Sequence, residues 1–188
     1  LWSYGLGVAD AMDTAQRGMG LDWPAARELI RRSGHEAAAV GGLLACGAGT
    51  DQLAIGDIPP GARGLELITG AYREQIEVVR GAGAQVILMA SRALARVATS
   101  PDDYLSVYGA LLAGADQPVI LHWLGSVFDP ALTGYWGDAD IARATTIFRS
   151  TDRGEPRQGG RSQGVAARRR TRDRVARGAA RGRPAVHR

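Results

Sequence analysis

The segment "PVILHWLGSVFDP", residues 118–130, places an apolar run directly before a histidine, a tryptophan and a glycine-led loop. Its apolar residues, Val119 to Leu121 among them, are typical of a buried strand. Three similar runs precede it along the chain: "YGLGVADAM" (4–12), "LLACGAG" (43–49) and "QVILMA" (85–90). We therefore predict four strands, of which the last ends in His122 and Trp123.

Helical patterns separate these runs, and each has its own start and stop signals. The first follows Asp22 as a cap and Pro24 in the first turn, and it stops at Gly41. The second has apolar residues at helical spacing, and the third opens with Ser100 and Pro101. This alternation of near-continuous apolar strands with helices predicts an α/β fold, a parallel sheet covered by helices.

Two architectures fit the alternation: a closed (β/α)8 TIM barrel and an open doubly wound sheet. No glycine-rich phosphate fingerprint follows the first run, which weakens the dinucleotide-binding version of the open sheet. We therefore expect part of a barrel. The chain starts without a methionine or a basic leader, which suggests a fragment.

Composition excludes several classes of function. All 23 basic residues are arginine, so every reaction that needs a lysine amine is excluded. Cys46 is the only cysteine, so no disulfide can form within the chain, and a cytoplasmic location is expected. No apolar run approaches the roughly 18 to 20 residues of a membrane span, so no membrane partner is expected.

Charge divides the chain into two parts. Residues 1–149 hold 11 Arg against 16 Asp and Glu, whereas residues 150–188 hold 12 Arg against 3 acids. The second part has no Leu, Ile, Phe, Met, Trp or Tyr, so we predict a disordered Arg/Gly/Ala-rich tail without a core. Three interpretations stay open: a solvated arm, an arm that binds nucleic acid, and an out-of-frame stretch of GC-rich coding sequence.

Polar residues follow the strand runs, where the site of a parallel α/β protein lies. We predict His122 and Thr14 as catalytic candidates, because an imidazole at a strand end can transfer protons. The alternative is a hydrogen-bonded structural histidine. The predicted substrate-binding residues are Asp13, Gln16, Arg17, Asp51, Ser91, Arg92 and Trp123, and Asp10, Thr50, Gln52 and Asp129 also follow strand runs.

Neither a metal nor a cofactor is expected. Asp13, Asp51 and His122 could hold a divalent ion in principle, but no HxH or HExxH spacing supports this. Cys46 lies within an apolar run, which predicts a packed core thiol rather than a nucleophile.

Five segments together resemble the dihydrodipicolinate synthase-like family, and more narrowly an uncharacterised subfamily grouped with that synthase: "MDTAQRGMGLDWPAARELIRRS", "ACGAGTDQL", "GAGAQVILMASRAL", "SPDDYLSVYGALL" and "QPVILHWLGSVFDPALTGYWG". The resemblance spans roughly residues 1–149. It implies a (β/α)8 barrel whose visible strands are the second to the fifth. It also implies lyase or aldolase chemistry on a small oxo acid or sugar-derived substrate.

The resemblance assigns roles that this chain meets only in part. Studied members hold pyruvate as a Schiff base on a lysine of strand six, with a threonine pair after strand two and a tyrosine ending strand five. Thr14 matches the second threonine, Asp13 replaces the first, and His122 replaces the tyrosine. An aspartate is a poor neighbour for a substrate carboxylate, since like charges repel.

The chain has no lysine at all, so Schiff-base catalysis is excluded for it. We therefore expect a truncated, inactive family member that self-associates through exposed barrel edges. The rival hypothesis is a non-enzymatic protein that binds nucleic acid through its Arg-rich tail. Under the leading hypothesis, the tail binds nucleic acid only non-specifically.

Overall fold

A computed structural model of the chain describes residues 1–13, 17 and 20–153. Its described part contains a four-stranded sheet in which all neighbours are parallel and the spatial order follows the chain. The strands are β1 (Val8–Asp10), β2 (Leu44–Ala48), β3 (Gln85–Leu88) and β4 (Ile120–Leu121). The α/β prediction and the four parallel strands in sequential order are confirmed.

Helices connect the strands, in agreement with the predicted alternation of strands and helices. They are α1 (Trp23–Val40), α2 (Ala62–Gly81), α3 (Arg92–Val97), α4 (Pro101–Ala113) and α5 (Ile141–Arg153). The Asp22 carboxylate caps α1 by accepting from the backbone N–H of Ala25 at 2.9 Å. Gly41 ends the same helix at φ 63°, a left-handed conformation that glycine adopts without steric cost.

The connection between β3 and β4 holds one helix more than the sequence pattern predicted. The short α3 starts directly after β3, where the Ser91 hydroxyl accepts from the backbone N–H of Leu94 at 2.9 Å. After a break, Asp103 accepts from the backbone N–H of Ser100 at 3.1 Å and so stabilises the start of α4. A six-residue helix has too few apolar positions to show a clear period.

The main core lies on the helix-covered face of the sheet. Alternate strand residues Leu44, Cys46, Val86 and Leu88 are buried there with helix residues such as Ile68. Strand residues of the opposite face lie between them in the sequence, because side chains alternate along a strand. On that second face Ala9 is exposed and Ile120 is 42% exposed, whereas Ile87 is buried.

β4 departs from its prediction as a fully buried strand. Only Ile120 and Leu121 belong to it, and Val119 and Leu121 are half-buried. The reason is its position, since β4 pairs with β3 on one side and is an edge strand of the described sheet. The predicted run at 4–12 is also shorter in the structure, where Trp2–Tyr4 forms a 3₁₀ turn before β1.

The predicted tail begins at residue 150, and α5 includes its first four residues. The interpretations of the tail as disordered, nucleic-acid-binding or out-of-frame concern residues that lie mostly outside the described ranges. Within those ranges no helix is long and apolar enough to cross a membrane.

Candidate functional site

The segments that follow the four strands meet at one edge of the sheet. We call this edge, built from residues 10–13, 49–51, 89–92 and 122–123, the mouth. Asp51, Ser91 and His122 follow β2, β3 and β4, so they lie at the same edge, as parallel strands require. Thr14 and Gln16, also predicted for this site, lie outside the described residues.

A glycine in β2 lets the segment after β1 cross the sheet. A methyl group at Gly47 would lie 2.5 Å from the carbonyl oxygen of Ala11 and 2.6 Å from the sulfur of Met89. Such a contact is sterically excluded, so only glycine fits beneath this crossing. Ala11 itself turns the chain with φ at 52°. The crossing leads the chain from the edge strand β1 towards the other side of the mouth.

The consequence is a close approach between residues that follow the two outer strands. His122 Nδ1 lies 3.8 Å from Asp13 Oδ2, with the side chains 34% and 18% exposed. His122 also continues the β3–β4 ladder, because its backbone N–H donates to the Leu88 carbonyl at 2.9 Å. Strand alternation puts its imidazole on the face of Ile120, away from the helices. The pair is spaced for an electrostatic contact rather than a hydrogen bond.

A second set of polar residues lies under the loops after β1 and β2. We call its members, Arg17, Asp51 and Gln75, the arginine network. Arg17 is 3% exposed. Its guanidinium donates to both carboxylate oxygens of Asp51, to the Gly47 carbonyl at 2.9 Å and to Gln75 Oε1 at 2.5 Å. The network therefore uses this guanidinium to hold the β2 loop.

Gln75 was not predicted for the site, although it completes the network from α2. It is fully buried, its Oε1 also accepts from the Gly49 backbone N–H at 2.6 Å, and its amide donates to Asp51 at 2.8 Å. The sequence carries a signal for it, since Gln75 lies on the helical stripe of Ile68, Tyr72 and Val79. A polar residue on a buried stripe needs partners.

The charge of Arg17 decides the protonation of Asp51. Burial acts to raise the pKa of the Asp51 carboxyl, but the hydrogen bonds and charge of Arg17, with the Gln75 amide, lower that pKa below its usual value. Asp51 is therefore held as a carboxylate, which satisfies the buried guanidinium.

On the other side of the mouth, the contacts are made by neutral hydroxyl groups rather than by charged groups. The Thr50 and Ser91 hydroxyls lie 2.6 Å apart, and the Ser91 backbone N–H donates to the Tyr135 hydroxyl at 2.9 Å. Tyr135 shares a 2.9 Å hydrogen bond with Tyr108, and Tyr72 donates to the Met89 carbonyl at 2.5 Å. These contacts connect the loops after β2 and β3 to a buried layer of rings.

We call Tyr72, Tyr108 and Tyr135 the tyrosine layer. Burial is the largest cause that raises the pKa of each of these phenols well above its usual value of 10.0. Trp136 packs on the layer, 4.6 Å from the Tyr108 ring centroid, and holds a left-handed φ of 71°. The layer is neutral, because burial opposes ionisation of its phenols.

The remaining predicted residues have structural contacts at the rim. Arg92 is 45% exposed and its Nε donates to Asp129 at 2.6 Å, while Asp129 also caps a 3₁₀ turn at Ala131. The Trp123 ring lies 5.7 Å from the ring of Phe148 on α5. The predicted binding role of Arg92 and Trp123 stays a prediction.

Two further expectations concern metals and thiols. Within residues 1–13, 17 and 20–153, no group of three or more His, Cys, Asp or Glu side chains is arranged to hold a metal ion. Cys46 is fully buried, which confirms the packed thiol, and burial is the main cause that raises its pKa to about 12.

A cavity of about 140 Å³ opens between these groups. Its polar lining consists of Asp13, Arg17, Thr50, Asp51, Ser91, Arg92 and Asp129, and Met89 and Leu132 add apolar surface. Hydroxyl, carboxylate and guanidinium groups that converge on a small cavity are suited to a small polar ligand.

Residues 1–154 match the family model described as a protein of unknown function, DUF993. The chain belongs to the DUF993 family. The match covers all four strands and the whole mouth, so the site described above belongs to the DUF993 part of the chain. A search of curated proteins finds no match to the chain.

Proposed function

We propose that this DUF993 chain is a lyase-like protein of the dihydrodipicolinate synthase-like superfamily, built on part of a (β/α)8 barrel. Two observations support the barrel: the strand order is sequential, and the main core lies on one face of the sheet. A doubly wound sheet reverses its strand order and carries helices on both faces.

The Asp13–His122 pair carries the functional part of the proposal. These residues come from segments after the two outer strands, yet their side chains approach to 3.8 Å at the mouth. A carboxylate beside Nδ1 orients an imidazole and stabilises its protonated form. Nε2 is then the ring nitrogen that exchanges a proton with the ligand.

The proposed step is proton transfer next to a carbonyl group. His122 Nε2 takes a proton from the carbon beside the carbonyl. The C–H electron pair forms a C=C bond, and the π pair of the carbonyl moves to its oxygen, which gives an enolate. The Thr50–Ser91 hydroxyl pair lines the cavity together with Asp13, the partner of His122, and it donates a hydrogen bond to that oxygen. The reverse step returns the proton and restores the ligand.

Carbon–carbon bond chemistry is outside this proposal. The relatives that the sequence resembles activate their substrate as an imine of lysine, and none of the 188 residues is a lysine. An enolate formed without an imine is less stabilised. We therefore propose binding and proton exchange on a small oxo acid or sugar-derived carbonyl compound, without aldol cleavage or condensation.

Solvent exchange measured by NMR tests this proposal. The full chain is incubated in D₂O with dihydroxyacetone or pyruvate, and loss of the carbon-bound proton signal is followed against a buffer blank. We expect exchange above the blank that falls about a hundredfold in His122→Gln, within the range for a general base. The control is His35→Gln, because His35 is an exposed residue of α1 with a side chain 78% exposed.

Two outcomes contradict the proposal. Exchange at the rate of the blank, or exchange unchanged in His122→Gln, removes the assigned proton-transfer role. Aldol cleavage that depends on His122 shows instead a complete lyase. Light scattering accompanies each preparation, because exposed apolar residues such as Phe128, 73% exposed, favour self-association.

A further inference from the structure

The mouth carries more negative than positive side chains. Three carboxylates and two guanidiniums line its cavity: Asp13, Asp51, Asp129, Arg17 and Arg92. This lining is unusual for a site that binds a carboxylic acid, because such sites present a cation or backbone N–H groups to the ligand. The pairing of the five groups therefore decides which ligand charge the mouth accepts.

Both guanidiniums are paired with carboxylates of the protein. Arg17 is buried against Asp51, and its remaining hydrogen bonds go to Gly47 and Gln75. Arg92 donates its Nε to Asp129, whose side chain is 13% exposed. Each pair is close to neutral as seen from the cavity, so neither cation offers a full charge to an incoming carboxylate.

The third carboxylate, Asp13, determines the net charge. Its side chain is 18% exposed and faces His122, the group to which we assign the proton transfer. A ligand that reaches His122 must come close to Asp13. A ligand carboxylate would be repelled there, whereas a ligand hydroxyl would donate a hydrogen bond to it.

The rest of the lining favours hydroxyl groups as well. Thr50 and Ser91 present a hydroxyl pair 2.6 Å apart, and each oxygen both donates and accepts. The cavity of about 140 Å³ holds about five water molecules at the roughly 30 Å³ that each occupies in the liquid. It therefore suits a ligand of about three carbons with its oxygens.

We infer that the mouth selects an uncharged, hydroxylated three-carbon carbonyl compound over an oxo acid of the same size. This inference rests on the proposed function, since it takes the mouth as the ligand site. It narrows the ligand to the sugar-derived class. Dihydroxyacetone and pyruvate have the same number of non-hydrogen atoms. A comparison of their affinities therefore tests the effect of ligand charge at constant ligand size.

Calorimetric titration of the full chain with each compound tests the inference at low ionic strength. We expect dihydroxyacetone to bind at least tenfold more tightly than pyruvate. In Asp13→Asn the affinity for pyruvate should rise at least tenfold, so the ratio of the two affinities should fall. Asp116→Asn is the control, because it removes the same charge beside Arg80 before β4, at the opposite edge of the sheet.

Salt sharpens the comparison. The screening length falls from about 10 Å at 0.1 M to about 3 Å at 1 M salt, so the disadvantage of pyruvate should shrink as salt is added. Pyruvate binding as tight as dihydroxyacetone binding in the wild type overturns the inference. A ratio of the two affinities that stays the same in Asp13→Asn also overturns the inference. Loss of pyruvate binding in Arg92→Gln would then identify Arg92 as the cation that binds the carboxylate.

Failure of the inference and failure of the proposed function give different results. Preference for dihydroxyacetone without His122-dependent exchange keeps the inference and removes the proton-transfer role. His122-dependent exchange with a preference for pyruvate keeps the proton-transfer role and removes the inference. Absence of binding by both compounds removes both, because the mouth is then not the ligand site.

Discussion

The arginine network and the tyrosine layer stabilise adjacent parts of the same mouth by different physical means. The network holds the loop after β2 through a buried guanidinium and a carboxylate. The layer holds the loop after β3 through phenol hydroxyls and ring contacts. The contrast shows how one sheet edge can use charge where a cation is available and neutral hydrogen bonds where none is.

The two arrangements differ in what remains when one member is removed. Loss of a carboxylate beside a buried guanidinium leaves an unpaired charge, which is costly because water cannot solvate it. Loss of a phenol hydroxyl leaves an unsatisfied neutral group, at a smaller cost. Removal of a carboxylate from the network should therefore cost more stability than removal of a hydroxyl from the layer.

Asp51→Leu should cause the largest loss. It leaves the Arg17 guanidinium buried beside Gln75 without a counter-charge. We expect a loss of about 3 kcal/mol in the free energy of unfolding, the lower end for a broken buried pair because the Asp51 side chain is 30% exposed. Urea unfolding followed by circular dichroism measures it.

The control for this loss is Asp116→Asn, which breaks the exposed contact of Asp116 with Arg80. We expect little change in the urea midpoint, since exposed ion pairs contribute little to stability. Equal losses in the two variants would show that burial of Arg17 has no special role.

Tyr135→Phe should cause a smaller loss. It keeps the ring but removes the acceptor of the Ser91 backbone N–H and the partner of Tyr108. We expect about 1–2 kcal/mol in the free energy of unfolding, the cost of a buried group without its hydrogen bond. The measurement is again urea unfolding.

Tyr104→Phe is the matched control, because the Tyr104 ring packs edge-on against Tyr135 at 4.8 Å and remains in place. Its loss should be clearly smaller than that of Tyr135→Phe. The same loss in both variants would assign the role of the layer to ring packing rather than to the hydroxyl chain.

The pH dependence of stability should separate the two arrangements. The pKa of Asp51 is lowered from its usual 3.8, so its stabilisation is present above that pH and is lost as pH falls through the lowered pKa. The phenols of the layer have raised pKa values, so their stabilisation is present below pH 10 and is lost as pH rises further.

Urea midpoints measured from acid to alkaline pH test this dependence with two variants. Asp51→Asn should lower the midpoints and flatten their fall on the acid side, while the steepness of the alkaline side stays the same. Tyr135→Phe should lower the midpoints at all pH values and change their pH dependence on the alkaline side alone. An acid side that stays equally steep in Asp51→Asn would mean that other carboxylates dominate it.

The site was predictable where a side chain follows directly from a strand. His122 and Ser91 come immediately or soon after apolar runs, and parallel strands bring such positions to one edge. Gln75 was missed because it lies 24 residues after Asp51 in the middle of a helix. Its position on a buried helical stripe shows that Gln75 needs hydrogen-bond partners, but it does not specify that they lie in the loop after β2.

Residue patterns alone predict the α/β class, the four strands and the first helix cap at Asp22, and the residue composition excludes lysine chemistry. These features depend on residue identity or on contacts within a few residues. The tertiary structure decided that Asp13 meets His122, that Arg17 is buried, and that β4 is partly exposed. Such features depend on contacts between distant segments, here permitted by Gly47, and local patterns do not specify them.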